Sequence, residues 1–235
     1  MKKRTKIIAT LGPTSTTPSK VEKMMKSGAD VFRINLSHTN IDDARSVISL
    51  VRNIEKKLDR PVAVMLDLQG QKVRIRGFGK KSHIVLKNGD SFIIDTSLGE
   101  NGTHKSVGVT FKDLHKNVKK GDELLLSDAL IKLRVDGIKS KKIYTTVDRG
   151  GKLKPYQGLN KKGGGLSLSG LTNKDRTDLK KSLLYEYDYV AVSFVKDEKD
   201  INEIKKIVKN KDVKIIAKIE RNEAVKNIDK ITRSA

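Results

Sequence analysis

Two hydrophobic rhythms alternate through the first third of the chain. Short apolar, β-branched runs at residues 6–11, 30–36 and 62–66 read as strands, the last opened by Pro61. Between them the spacing lengthens. Ala44, Val47, Ile48, Val51, Ile54 and Leu58 recur with a helical period, which predicts a helix over 41–58. A shorter helix is expected over 18–27, with Ser/Thr capping candidates before it and Gly28 as its stop. A β-α-β-α-β succession of this kind predicts parallel strands joined by right-handed crossovers.

From about Val73 to Gly165 the rhythm changes to short β-rich pieces punctuated by turn signals at Asn88-Gly89-Asp90, Gly121-Asp122, Asp136-Gly137 and Gly150-Gly151. Hairpin-like spacing suggests a small all-β domain inserted into the α/β domain. Gly163-Gly164-Gly165 reads as the return hinge or as a flexible loop; no Lys-Ser/Thr follows to make it a phosphate loop. The alternation then resumes. A helix is expected over 172–184, with Thr172 and Asp175 spaced close to a capping box. A strand at 189–194, a helix at 198–209, a strand at 213–219 and a helix at 223–231 complete the pattern. About five of the eight strands of a closed (β/α)8 barrel are present. The fold class expected is therefore α/β: a partial TIM barrel carrying an inserted small all-β barrel. Its divisions are 1–69, 70–166 and 167–235, the last incomplete at the C-terminus.

Composition narrows the function classes. The 235 residues, 36% of them hydrophobic, are enough for a globular protein with one large domain or two small ones. There is no cysteine, which excludes disulfides and thiolate metal sites, and four His make a His-rich metal centre unpromising. The basic start Met1-Lys2-Lys3-Arg4 imitates a secretory leader, but the apolar stretch after it is broken by Gly12-Pro13. No run approaches the roughly 20 apolar residues that span a bilayer, so a cytoplasmic protein without membrane contact is expected. A net charge of +22 attracts polyanions. With 4% aromatics and no Trp, a stacking platform for bases is poorly supplied. A solvated lysine-rich surface accounts for the charge more simply than nucleic-acid binding does.

Three segments end apolar strands with polar groups: Arg33-Ile34-Asn35-Leu36-Ser37-His38, Asp67-Leu68-Gln69-Gly70-Gln71-Lys72-Val73-Arg74, and Ala217-Lys218-Ile219-Glu220. The carboxyl ends of strands are where α/β barrels build their sites. Arg33 sits mid-strand, where a guanidinium needs an anion; a buried carboxylate and a ligand phosphate serve equally well. Asp67 needs a cation for the same reason, and Lys72 and Arg74 follow within a hairpin's reach or mark a charged domain junction. Lys218 and Glu220 alternate in a strand and so share a face. They read as a salt bridge, or as a phosphate-neutralising lysine beside a magnesium ligand. The set is a phosphoryl-transfer toolkit.

These segments, in this order and together with Lys6-Ile7-Ile8-Ala9-Thr10-Leu11-Gly12-Pro13 and Tyr189-Val190-Ala191-Val192-Ser193-Phe194, resemble the pyruvate kinase family over the whole chain. The resemblance implies phosphoryl transfer from phosphoenolpyruvate to ADP, giving pyruvate and ATP. It implies that Arg33 holds the phosphoryl group and that Lys218 stabilises the transfer transition state, with Ser193 near the substrate. Glu220 would ligate Mg2+ (or Mn2+). Asn35, Ser37, Asp67 and the Leu68 carbonyl would form a monovalent-cation pocket, while Asn35, His38 and Arg74 would serve the nucleotide. The inserted domain would be the family's lid, and the intact enzyme a homotetramer. Gln71 and Lys72 stand where the commoner pattern has Pro and Glu, resembling members that dispense with potassium because a lysine ammonium replaces the ion. Gln157 stands where the family carries a nucleotide-contacting lysine. The chain ends at Ala235, before the family's second magnesium carboxylate. An enzyme and a non-catalytic remnant that binds phosphate ligands are therefore both expected readings.

Overall fold

The computed structural model describes residues 4–166, 168, 170–209 and 211–235. The start of the basic leader-like stretch (1–3) and the expected domain boundary at 167 lie outside them. The chain divides into two compact units, Met1–Gln71 with Ser169–Ala235, and Lys72–Leu168.

The first unit opens with β1 (Ile8–Leu11), α1 (Pro18–Lys26), β2 (Val31–Asn35), α2 (Ile41–Leu58) and β3 (Ala63–Asp67). Helix α1 starts with Pro at its head, where a missing N–H costs nothing, and stops at Gly28, whose φ of 105° suits a residue without Cβ. Helix α2 is capped by Asn40, whose side chain accepts from the Asp43 N–H at 2.7 Å. It buries Ile41, Ala44, Ile48, Val51 and Ile54, one stripe at helical spacing.

The second unit is built from β4 (Ile84–Leu86), β5 (Ser91–Asp95), β6 (Ser106–Gly108), β7 (Glu123–Leu126), β8 (Ile131–Lys139), β9 (Lys142–Arg149), β10 (Gly151–Leu153) and β11 (Leu159–Lys161). Six of these form one sheet in the order β11-β7-β8-β9-β5-β6, and β10 pairs with β4. The core holds Phe92, Ile94, Leu124, Leu126, Leu133, Ile143 and Val147, inward-facing positions of alternating strands. The turn expected at Asp136-Gly137 is not a turn. It lies inside β8, where the pairing with β9 shifts between Val135 and Gly137. An Asp-Gly pair suits a bulge as well as a hairpin; here the chain reverses at Ser140, in left-handed conformation at φ 55°.

The first unit then resumes with α3 (Asn173–Ser182), β12 (Tyr189–Val192), α4 (Glu198–Val208), β13 (Lys214–Ala217), α5 (Asn222–Lys226) and α6 (Ile228–Ser234). The Thr172–Asp175 capping box forms in both directions. Three expectations fail here. The helix over 223–231 is two short helices that meet at Asn227, the strand over 189–194 ends at Val192, and the strand over 213–219 ends at Ala217, so Ser193, Lys218 and Glu220 lie just beyond their strands. The five strands of this unit make one parallel sheet in the order β1-β2-β3-β12-β13, each pairing in register with its chain predecessor in the sheet. Phe32, Ile34, Val64, Leu66, Val190 and Val192 on one sheet face pack with Val21, Met25, Ile48, Val51, Ile201 and Ile204 of the helices. Each such burial contributes about 1.5–3 kcal/mol. Period two then sends Thr10, Arg33, Met65, Asp67 and Ala191 to the opposite face. Among the described residues no helix is long and apolar enough to cross a membrane.

Candidate active site

Five neighbouring strands each bring one polar side chain to the carboxyl end of the parallel sheet. The centre is Asp67, last residue of β3 and 2% exposed. A carboxylate this deep needs cations, and it has two. Arg33 of β2 donates from Nε at 2.7 Å and Nη2 at 2.6 Å, while Lys218, after β13, lies 3.2 Å from Oδ1. The remaining guanidinium nitrogen of Arg33 donates to Thr10 Oγ1 of β1 at 2.9 Å. Ser193, after β12, donates to the Leu68 carbonyl at 2.7 Å and accepts from Lys218 Nζ at 2.8 Å. Charge-assisted bonds of this kind are the strong ones. They hold two cations side by side, and both keep over a quarter of their side-chain surface exposed. The arrangement presents positive charge, fixed in advance, to an incoming anion.

Of the two partners weighed for Arg33, the buried carboxylate is the one it touches. Lys218 and Glu220 lie 3.5 Å apart, so they reach the same side although neither is in the strand. Glu220 Oε2 also accepts the Phe194 N–H at 3.0 Å, which fixes the carboxylate. A single anchored carboxylate with lone pairs to spare suits Mg2+, which takes few protein carboxylates and completes its sphere with substrate oxygens. Among the described residues no cluster of three or more His, Asp or Glu side chains makes a self-sufficient metal cage.

Asn35 pairs in register with Asp67 across β2 and β3, and its Oδ1 accepts the Ser37 N–H at 3.0 Å. Asn35, Ser37, Asp67 and the Leu68 carbonyl therefore offer amide, hydroxyl, carboxylate and carbonyl oxygens, the hard donors an alkali cation takes. In the present geometry Asp67 and the Leu68 carbonyl are engaged by Arg33, Lys218 and Ser193. His38 is exposed, and its backbone N–H donates to the Asn35 carbonyl at 3.1 Å.

Lys72 and Arg74 belong to the second unit. Arg74 donates to the Tyr156 carbonyl at 3.0 Å. The Lys72 stem lies against Gly158, where an added Cβ would come within 2.7 Å of Cε. Gln157 accepts from Ser127 Oγ at 2.5 Å and from the Lys154 N–H at 2.9 Å.

Two supporting residues escaped the sequence reading. Thr10 is an ordinary strand threonine until the register of β1 on β2 sets it opposite Arg33. Asp175, wholly buried, does more than close its capping box: its carboxylate accepts the Gln69 N–H at 3.0 Å and the Gly70 N–H at 3.2 Å. It thereby ties the loop that follows Asp67 and Leu68 to the head of α3. Gly70 completes the brace. Its φ is +63°, and a Cβ there would sit 2.8 Å from both Cβ and the carbonyl oxygen of Ser193.

A family model described as the pyruvate kinase barrel domain matches residues 2–235. Pyruvate kinase II of Salmonella typhimurium and pyruvate kinase of Haemophilus influenzae are each 41% identical over 209 residues, 88% of this chain. Pyruvate kinase of Buchnera aphidicola subsp. Baizongia pistaciae is 44% identical over 205 residues, 87% of this chain. The chain spans 43% of the length of each of these relatives. A match running through both units, with the cation pair at the strand ends included, means that the chain belongs to the pyruvate kinase family.

Proposed function

We propose that the protein transfers the phosphoryl group of phosphoenolpyruvate to ADP, and that the sheet end around Asp67 is where the phosphoryl group is held. The observation that carries this reading is the pair of cations, Arg33 and Lys218, fixed on one buried carboxylate beside Ser193. Transfer of a phosphoryl group demands little covalent chemistry from the protein and much positive charge in place. Arg33 orients the phosphoryl oxygens. The Lys218 ammonium stabilises the charge that accumulates on them in transit, and Ser193 sets that ammonium's direction. Glu220 would hold Mg2+ or Mn2+, which when bound neutralises phosphate oxygens.

The remaining assignments rest on the family pattern. Asn35, Ser37, Asp67 and Leu68 form the monovalent-cation pocket, and Lys72 makes potassium dispensable. Asn35, His38 and Arg74 serve the nucleotide. The parallel sheet is the first part of a (β/α)8 barrel, 70–166 is its lid, and the functional protein is a cytoplasmic homotetramer.

The test measures phosphoenolpyruvate binding by 31P NMR and pyruvate formation in the presence of ADP and Mg2+. Lys218→Met should weaken binding at least tenfold and abolish turnover. Phosphoenolpyruvate binding that ignores both Lys218→Met and Arg33→Met would refute this use of the site; binding without turnover would leave the remnant reading.

A further inference from the structure

The second unit holds a cavity of about 650 Å3, lined entirely by its own residues and by none of the site residues above. Its charges are uneven. Arg76 is satisfied by Glu100 at 3.0 Å, and Glu100 is itself pinned by the Gly77 N–H at 2.8 Å. Lys116 is satisfied by Asp113 at 2.9 Å. Both carboxylates are held below their ordinary pKa, Glu100 by the Gly77 N–H and then Arg76, Asp113 by Lys116, so both stay ionised and engaged. The two other lysines on the wall, Lys112 and Lys141, have no ion pair among the described residues, and both are exposed.

The cavity therefore carries two cations more than its carboxylates neutralise. A phosphate monoester, with about 1.5–2 negative charges near neutral pH, matches that excess. Other wall groups suit the same ligand. Nδ1 of His115 lies 3.0 Å from Thr96 Oγ1, a buried hydroxyl that also donates to the Lys141 carbonyl at 3.1 Å, so the ring is held in place. Leu98 and Val109 add an apolar wall for the organic part of an ester, which a free phosphate would not use. We propose that this cavity is a second anion site, separate from the sheet-end cluster, which takes a small organic phosphate monoester through Lys112 and Lys141.

The test titrates the whole chain with phenyl phosphate and follows backbone amides by NMR. Saturable shifts are expected at residues 96–100 and 112–116, with weaker binding of inorganic phosphate at the same amides. The double variant Lys112→Ala/Lys141→Ala, two exposed side chains whose loss leaves the fold intact, should weaken phenyl phosphate binding there at least tenfold. It should leave shifts near Ser193 and Lys218 unchanged. Absence of saturable shifts at 96–100 and 112–116, or equal affinity in the double variant, would overturn the proposal. Phenol shifting the same amides as strongly would also overturn it, because the cavity would then be reading the ring and not the charge.

Discussion

Replacing Asp67 by Asn removes the charge at the centre of the cluster while keeping its volume. The amide retains one acceptor, but its NH2 group must face a cation. Arg33 loses the charge on the one oxygen, Oδ2, that two of its nitrogens grip at 2.6 and 2.7 Å, and Lys218 loses that on Oδ1 at 3.2 Å. Breaking one side of a buried ion pair costs about 3–5 kcal/mol. Arg33 and Lys218 are 28% and 29% exposed, so water screens part of that loss and about 2–3 kcal/mol is the expected destabilisation. Among the described residues every α-helix, α1 to α6, belongs to the unit that contains Asp67, so the far-UV helix signal reports that unit during urea unfolding. The midpoint should fall with an unchanged slope. Added phosphate should stabilise Asp67→Asn more than the parent, because Arg33 then loses its carboxylate and Lys218 is left with that of Glu220, at 3.5 Å. A loss below about 0.5 kcal/mol, with no extra response to phosphate, would show that Asp67 does not hold the pair together.

Gly70→Ala forces a side chain into left-handed backbone against Ser193, and should cost about 2–4 kcal/mol in the same unfolding assay. Asp175→Ala strands the Gln69 and Gly70 N–H groups, at about 1–3 kcal/mol each, and should accelerate amide exchange at 67–70 ahead of the rest of the sheet. Glu22, lowered to a pKa of about 2 from 4.5 by hydrogen bonds from Lys26 and Lys57, gives a stabilisation that is complete above the ordinary carboxylate pKa and is lost as pH falls through 2. Its NMR titration should move back toward 4.5 in 1 M salt, about a 3 Å screening length. If the Lys72 ammonium replaces potassium, turnover should need no added potassium and Lys72→Glu should make it potassium-dependent; strong activation of the unmutated protein would mean that Lys72 points elsewhere.

Local signals were readable wherever a segment's own neighbours decide its conformation. Helix α2 was legible because its apolar stripe runs unbroken at helical spacing from Ile41 to Leu58, and the Thr172–Asp175 box was legible because both partners lie within one turn. Reading failed where one local pattern serves two ends. Asp136-Gly137 fits a hairpin and a bulge equally, and only the register of β8 on β9 decides. The 223–231 helix breaks at Asn227, whose amide donates to the Lys196 carbonyl at 3.2 Å, a contact invisible along the chain. In the cluster itself each strand end announced its own polar residue. The bond between Arg33 and Asp67 spans 34 positions, and that between Gly70 and Asp175 spans 105, so neither could be read before the strands and loops were paired.

The sheet's strand order also sets a kinetic problem for the folding chain. Joining β2 to β3 closes a loop like that between Arg33 and Asp67, 34 residues, whereas joining β3 to β12 closes one like that between Val64 and Asp188, 124 residues. The longer closure costs roughly 1 kcal/mol more for a flexible chain. Folding of the inserted β unit removes that excess. Within it the Leu159 N–H bonds the Val73 carbonyl at 2.9 Å and Arg74 is bridged to Gly158, so once this unit is folded the loop left to close between β3 and β12 is much shorter. Lesions in the core of the insertion should therefore slow the docking of β12 on β3 in stopped-flow refolding, even where they leave every residue of the cluster untouched.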